Sequence, residues 1–358
     1  MTPAAILRPL AFALLLLAAV PTVSAQKRHD FKKISELAQK GVVEAQYNMG
    51  VCYANGYEVE RDMKKAVEWY TLAAEKGYVM AIYNLAICYY DGAGVVQDHA
   101  EAVRLYREAA QQGHLKACYN LGLCYMNGDG VPQNYEESAV WFSHAADSGV
   151  VEALYELGVC YMEGKGVTAD TAKARQLYLA AADSGYLMAR TAVGLLALSR
   201  HEESLYPLAF TYLSEASRQG DVTAQASLGL CYYKGYGTAV NHDSAFFWFQ
   251  KAAGAGNIEA TCNLGVCYQQ GHGVAQDYSR AFALYEKAAR RGNARGQYNL
   301  ALCYFYGYGV DKNHRKARVW METALGNSRL GPAERKDASD ILARIEDELW
   351  LHEVLKSE

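Results

Sequence analysis

The sequence contains little proline, a small net charge and no long apolar segment. Only six prolines occur in 358 residues, so long helices can form without interruption. The formal net charge of −4 leaves no basic surplus of the kind that nucleic acids or anionic lipids attract. The apolar run Leu10 to Val20 is shorter than the ~20 residues that a membrane span needs. We therefore expect no nucleic-acid partner and no membrane span after signal cleavage.

The sequence also lacks the short motifs of common hydrolases. It contains neither His-Glu-x-x-His nor Gly-x-Ser-x-Gly, and His201-Glu202-Glu203 has no second histidine to complete a metal site. Other histidines, among them His99, His242, His272 and His314, are predicted to lie in solvent at turns and helix ends. We predict no catalytic residue, no metal and no cofactor.

The first 25 residues have the layout of a cleavable secretory signal. An early base, Arg8, precedes the apolar run, Pro21 breaks it, and Val23-Ser24-Ala25 supplies a small-x-small cleavage site. An uncleaved anchor is the alternative. The segment predicts an exported protein, periplasmic or secreted, or lumenal in the endoplasmic reticulum if the source is eukaryotic.

A unit of about 36 residues dominates the rest of the chain. Its leading small residue recurs every 36 residues, with a single spacing of 35, at Ala45, Ala81, Ala117, Ala153, Ala189, Ala224, Ala260 and Gly296. Self-similarity of this length is typical of stacked helical hairpins, in which each unit buries its apolar face against its neighbours. We predict an all-α solenoid of about eight repeats over residues 45–331.

Within each unit, numbered from its leading alanine, the pattern predicts two helices. Position 6 is a recurring glycine such as Gly122, which indicates that another helix approaches closely there. The first helix is predicted to end at a Gly-x-Gly-Val turn such as Gly128 to Val131. Predicted N-caps of the second helix are Asp62, Asp98, Asn134, Asp170, Asn241, Asp277 and Asn313. Its predicted C-terminal glycines are Gly77, Gly113, Gly149, Gly185, Gly220, Gly256 and Gly292.

These residues follow the pattern A-x-x-x-L-G-x-x-Y-x-x-G-x-G-V-x-x-D-x-x-x-A-x-x-W-Y-x-x-A-A-x-x-G, which resembles the Sel1-like repeat family, relatives of tetratricopeptide repeats. The resemblance covers about Ala45 to Asn327. It implies a right-handed α/α superhelix of helix-turn-helix repeats, used in that family as a protein-binding scaffold or adaptor.

The fifth unit departs from this pattern. Ala197 replaces the tyrosine, Arg200 replaces the first turn glycine, and no Gly-x-Gly follows. We expect a kink or a local change of pitch near residues 198–207, with the second helix resuming at Ala209. Milder departures are Glu58 in the first turn and Thr238 in the sixth.

Both ends of the array are predicted to form capping helices. Residues 26–44 resemble the second helix of a missing first unit, with Ala38 among its apolar positions. Residues 332–358 open on Pro332, and their apolar stripe consists of Ile341, Leu342, Ile345, Leu349 and Trp350. A role for this last helix in docking onto a partner is the alternative.

Nine cysteines in an exported chain suggest disulfides, but their placement argues against them. Seven occupy position 8 of a unit, and Cys262 and Cys267 are the single pair with the C-x₂₋₄-C spacing of half a zinc site. Cys118 and Cys124 are six residues apart in one helix, ~9 Å along its axis and beyond disulfide reach. Cysteine-rich exported Sel1-like proteins pair a first-helix cysteine with one ending the second helix, where this chain has alanines. We therefore predict a row of small buried thiols.

A tyrosine- and methionine-rich face of the first helix is the candidate binding surface. It combines positions 0, 3, 7 and 10, which related arrays place in a concave groove. The candidate residues are Tyr47, Tyr83, Tyr90, Tyr119, Met126, Tyr155, Met162 and Tyr298. Such a face either packs against the neighbouring repeat or grips an extended or helical peptide.

The leading functional interpretation is a non-enzymatic exported scaffold that binds a protein or peptide partner through this groove. Two alternatives stay open from the sequence alone. Some cysteine-rich relatives are associated with β-lactam hydrolysis, although no nucleophile and base are apparent here. Tyrosine-lined faces would also serve a protein that binds glycans or cell wall.

Overall fold

The computed structural model describes residues 30–357. That range holds eighteen α-helices and one 3-10 helix, and no strand is present in it. The fold is a solenoid of paired helices, which confirms the all-α prediction. The predicted signal peptide, residues 1–25, lies outside the described residues, as do residues 26–29 of the predicted N-terminal cap.

Each repeat consists of a first and a second helix, and the first helices begin two residues before the leading alanine. The first helices are α2 (Val43–Asn55), α4 (Val79–Asp91), α6 (Leu115–Asn127), α8 (Val151–Glu163), α10 (Leu187–Ser199), α12 (Val222–Lys234), α14 (Ile258–Gln270) and α16 (Ala294–Tyr306). The second helices are α3 (Met63–Ala74), α5 (His99–Gln111), α7 (Tyr135–Asp147), α9 (Thr171–Asp183), α11 (Tyr206–Arg218), α13 (His242–Gly254), α15 (Tyr278–Arg290) and α17 (His314–Gly326). Helices α1 (Asp30–Gln39) and α18 (Pro332–Ser357) flank them.

The turn between the two helices is closed by local hydrogen bonds. In the third repeat, Gly128 takes φ +83°, and its N–H donates to the carbonyl oxygen of Cys124 at 2.8 Å. Asn134 then accepts the N–H groups of Glu136 and Glu137 with its side chain. All seven predicted N-caps accept such bonds, which satisfies backbone donors left free at a helix start.

The second glycine of each turn makes a contact between repeats. A Cβ on Gly130 would lie 2.2 Å from the carbonyl carbon and oxygen of His99, the first residue of the preceding repeat's second helix. Gly130 also has φ +69°, so glycine is required there twice over. Glu58, which replaces this glycine in the first turn, keeps the left-handed conformation with φ 60° and is exposed.

Small residues set the spacing between helices, and large apolar residues fill the space between them. The leading alanines are at most 5 % exposed, and Leu121 and Phe142 are fully buried. Within each unit of the chain, a first helix packs between the second helix of its own repeat and that of the preceding repeat. Each repeat therefore completes its core with its neighbour's side chains.

The described residues form two compact units that divide in sequence between Tyr186 and Leu187. The first contains α1 to α9 and the second α10 to α18. In the first unit, Ala38 of α1 is buried against Ala45 and Met49 of α2, so α1 packs over the start of the first repeat.

Helix α18 covers the last repeat through the first half of its length. Ala338, Ile341 and Ile345 are buried in the core of the second unit. The predicted stripe is wrong at its end, because Trp350 is 66 % exposed. Helix α18 has 26 residues, whereas α17 has 13, so α18 is twice as long as the helix that it covers.

The fifth repeat replaces the glycine turn with a different connection. Helix α10 ends at Ser199, His201 takes φ 54°, and a 3-10 helix (Glu203–Leu205) leads directly into α11. The second helix therefore starts at Tyr206, three residues before the predicted Ala209, because Pro207 fits the first turn of a helix. A change of pitch at this repeat stays a prediction.

Candidate functional site

The tyrosines at position 3 lie against the second helix of their own repeat. The ring centroids of Tyr83 and Tyr106 are 6.0 Å apart, and those of Tyr155 and Tyr178 are 5.4 Å apart. Tyr47 and Tyr119 make the same contact with Tyr70 and Phe142. In the first, third and fourth repeats, the glycine at position 6 leaves room for the second-helix ring, because Gly50, Gly122 and Gly158 present no Cβ to Tyr70, Phe142 and Tyr178.

This packing buries part of the predicted binding set. Tyr83, Met126 and Tyr155 are 2 %, 4 % and 3 % exposed, so their side chains belong to the core. Burial raises the pKa of the Tyr83 hydroxyl to about 12, although the hydrogen bond from Asn120 opposes the shift. These three side chains are therefore not exposed to a partner.

The other predicted residues are half-buried. Tyr47, Tyr119 and Met162 each keep part of their surface accessible. Tyr90 donates its hydroxyl proton to Asp129 of the next repeat at 2.9 Å, and Tyr298 donates to Asp337 of α18. Their polar atoms therefore join neighbouring elements, and binding by the five accessible members stays a prediction.

The accessible face of the first helix is rotated from the predicted one. At 100° per residue, positions 0, 4, 7 and 11 fall within a 60° arc. Positions 3 and 10 lie to one side of this arc, toward the second helix of the same repeat. Positions 1, 5 and 8 lie on its other side, toward the preceding repeat. We call positions 0, 4, 7 and 11 the first-helix stripe.

The stripe has a recurring composition. Position 7 is always aliphatic, and it is half-buried from the third repeat onward: Leu123, Val159, Leu195, Leu230, Val266 and Leu302. Position 4 is mostly a carboxamide: Asn48, Asn263 and Asn299 are half-buried, and Asn84 and Asn120 are buried. The stripe thus places an aliphatic row beside a row of hydrogen-bonding groups. Sequence reasoning missed positions 4 and 11 because polar residues on a helix surface are unremarkable.

The carboxamides of the stripe connect neighbouring first helices. Asn120 donates to the Tyr83 hydroxyl at 3.4 Å, and Arg295 donates to the Asn263 side-chain oxygen at 3.3 Å. In the second unit, α10 packs against α12 and α12 against α14. The stripes of neighbouring repeats therefore lie side by side within a unit.

Two of the histidines predicted in solvent stack on each other instead. The rings of His242 and His272 are 4.0 Å apart and nearly parallel, at 10°. His99 stacks on Tyr90 at 4.6 Å in the same way. These histidines occupy either the start of a second helix or the middle of a Gly-x-Gly turn. The repeats bring these two places together, which the sequence alone did not reveal.

The cysteines are free thiols, as predicted. All but Cys52 are buried. Burial raises the pKa of Cys88, Cys124 and Cys267 to about 12, so these thiols are protonated and poor nucleophiles at neutral pH.

The described residues contain no group of three or more His, Cys, Asp or Glu side chains arranged to hold a metal ion. Among the helices of residues 30–357, none combines the length and the apolar character that a membrane crossing requires.

Comparison with known proteins identifies the repeat. The Sel1 repeat profile matches residues 43–78, 79–114, 115–150, 151–186, 204–221, 222–257, 258–293 and 294–325. The fifth match is short because it omits α10, in keeping with the departures of that repeat. No match was found among curated proteins.

Solved structures include similar solenoids. A Sel1 repeat protein from Oxalobacter formigenes is 26% identical, with 87% of this chain and 89% of that chain covered and a TM-score of 0.59. A protective antigen of uropathogenic Escherichia coli is 28% identical, covering 89% and 85%, with a TM-score of 0.38. An immunity protein from Pseudomonas aeruginosa is 21% identical, covering 66% and 83%, with a TM-score of 0.38. With the repeat profile matched over most of its length, this chain belongs to the Sel1 repeat family.

Proposed function

We propose that the protein is an exported, non-enzymatic scaffold that binds a protein partner along its first-helix stripes. The observation that carries this proposal is the half-buried aliphatic row at position 7, including Leu123 and Val159, together with half-buried carboxamides at position 4 of other repeats, namely Asn48, Asn263 and Asn299. Aliphatic side chains offer apolar contact area, and carboxamides can donate to and accept from a peptide backbone. The stripe therefore suits a polypeptide better than a small molecule.

Export is part of the same proposal and rests on the sequence of residues 1–25. If the signal is cleaved after Ala25, the mature protein begins at Gln26. Amino-terminal sequencing of the protein from its native host checks this directly. A mature chain that retains residues 1–25 would contradict export by this route.

Site-specific photo-cross-linking in the native host tests the binding surface. We would place benzoylphenylalanine at Asn127, which is exposed at position 11 of the stripe, and at Val140 as the matched control. Val140 is 51 % exposed on the second helix of the same repeat. We expect a discrete protein adduct from position 127 and none from position 140. Equal adducts from both positions, or an adduct from position 140 alone, would contradict binding along the stripe.

A further inference from the structure

The stripe in the first unit carries a strong excess of negative charge. Its sixteen positions on α2, α4, α6 and α8 hold one base, Lys116, and five carboxylates: Glu44, Asp91, Glu152, Glu156 and Glu163. The equivalent sixteen positions on α10, α12, α14 and α16 hold one carboxylate, Glu259, and two bases, Lys234 and Arg295. The first helices have the same length and pack on second helices in both units, so packing does not require the carboxylates.

Helix α8 concentrates this charge. Three of its four stripe positions are glutamates, Glu152, Glu156 and Glu163, and the fourth is the aliphatic Val159. Eleven residues separate the first and last glutamate, which is ~16 Å along a helix. Lys165 pairs with Glu163 at 2.5 Å. The stripe on α8 is thus an acidic surface in which the aliphatic Val159 lies among the glutamates.

The field of these carboxylates reaches the tyrosines that pack around them. Burial raises the pKa of Tyr186 to about 12, and the charges of Glu156 and Glu152 add to the shift. Burial also raises the pKa of Tyr119 on the neighbouring first helix, again with a contribution from Glu156. The carboxylates therefore raise the pKa of tyrosines in adjacent repeats, where water screens their negative charge only in part.

We infer that the first unit binds a basic, extended segment of its partner protein, with lysine or arginine side chains over the α8 glutamates and aliphatic side chains over Leu123 and Val159. This inference rests on the proposed function and names the chemistry of the partner. An extended strand places alternate side chains on one face, so cationic and apolar residues can reach the stripe together. Complementary charge speeds association and selects the partner more than it adds affinity.

Fluorescence anisotropy with two designed peptides tests the inference on the full-length protein. The probe is a fluorescein-labelled decapeptide of alternating lysine and leucine, and its counterpart carries glutamate in place of lysine. The variant E152Q/E156Q/E163Q removes the α8 charges with little change in volume. The matched control E60Q/E68Q/E137Q removes the same net charge from exposed positions off the stripe in the same unit.

We expect the lysine peptide to bind, the glutamate peptide not to bind, and the α8 variant to weaken binding about fivefold, as three partly exposed ion pairs would. The control variant should bind as the unmodified protein does, and added salt should weaken the interaction. Equal losses in the two variants would mean attraction by net charge alone and would overturn the inference, as would binding of both peptides. A stripe cross-link at position 127 to a partner without a basic segment would refute this inference while leaving the proposed function intact.

Discussion

Gly122 of the third repeat lies directly against the aromatic ring of Phe142. A Cβ on Gly122 would come within 2.7 Å of two ring carbons, closer than such atoms approach in proteins. The same contact joins Gly158 to Tyr178 and Gly265 to Tyr285. The recurring glycine is thus the point at which the two helices of a repeat come closest together.

Gly122→Ala should therefore destabilise the protein. Overpacking costs about 1–3 kcal/mol, and it competes with a gain of ~1 kcal/mol from the better helix propensity of alanine. Gly254→Ala is the matched control, because Gly254 lies in α13 with open space where its Cβ would be. Urea denaturation should show a lower midpoint for the first variant and an unchanged or higher one for the second. If both variants shift together, the close contact does not explain the glycine.

Leu121→Ala tests how far neighbouring repeats depend on one another. Leu121 is fully buried, so truncation should cost ~2–5 kcal/mol. The loss should spread to the repeats that flank it, because they share its core. Hydrogen exchange should show faster exchange in α4 and α8 as well as in α6. Loss of protection in α6 alone would contradict coupling between neighbours.

His114 should make the protein less stable in mild acid. Its Nδ1 accepts the N–H of Ala117 at 3.1 Å as the N-cap of α6, and its ring stacks on Tyr83 at 4.2 Å. Burial, with a smaller contribution from Lys116, lowers the pKa of His114 below its ordinary value. The unfolded chain then binds more protons than the folded one. Stability is complete above the unfolded pKa of ~6.5 and falls as the pH drops through it toward the folded value.

The variant His114→Asn separates this effect from general acid sensitivity. Asn257 and Asn293 cap the equivalent helices α14 and α16, so asparagine keeps the cap without a titrating group. Thermal melts between pH 7.5 and 5 should fall less steeply for the variant. Identical slopes would show that His114 makes no contribution. His272 has a lowered pKa as well, from burial and the charge of His242, and should sustain part of the remaining slope.

The thiols give a fourth prediction. Because eight of the nine cysteines are buried and all are free, reducing agent should leave the melting temperature unchanged. In native protein, a thiol reagent should modify Cys52 first, since it alone is half-buried. All nine should react in denaturant. A melting temperature that falls on reduction would reveal disulfides and contradict the free-thiol assignment.

The repeat, its caps and its turns could be predicted because each depends on residues close in sequence. Asn134 caps a helix through its immediate neighbours, and Gly128 ends one through its own left-handed backbone. Periodicity also shows which positions share a helix face. It does not show where the boundary of the covered surface falls, since that depends on how far two neighbouring helices extend around the first helix.

The candidate site illustrates this limit. Tyrosines at position 3 look like binding residues in the sequence, yet Tyr83 and Tyr155 are buried against the second helix. Asn127, one residue after the buried Met126, lies 100° further around the helix, belongs to the stripe and is exposed. His242 and His272 looked solvated because they lie 30 residues apart, and only stacking of the repeats makes them neighbours.

Hydroxyl-radical footprinting with and without the cross-linked partner measures the central claim most directly. Met80 occupies position 0 of the stripe and is half-buried, and methionine sulfur oxidises readily. Leu72, 41 % exposed on the second helix of the preceding repeat, serves as the reference. The bound partner should protect Met80 and Leu123 and leave Leu72 and Val140 unchanged. Protection of Leu72 and Val140 with continued oxidation of Met80 would place the binding surface on the second helices and contradict the account.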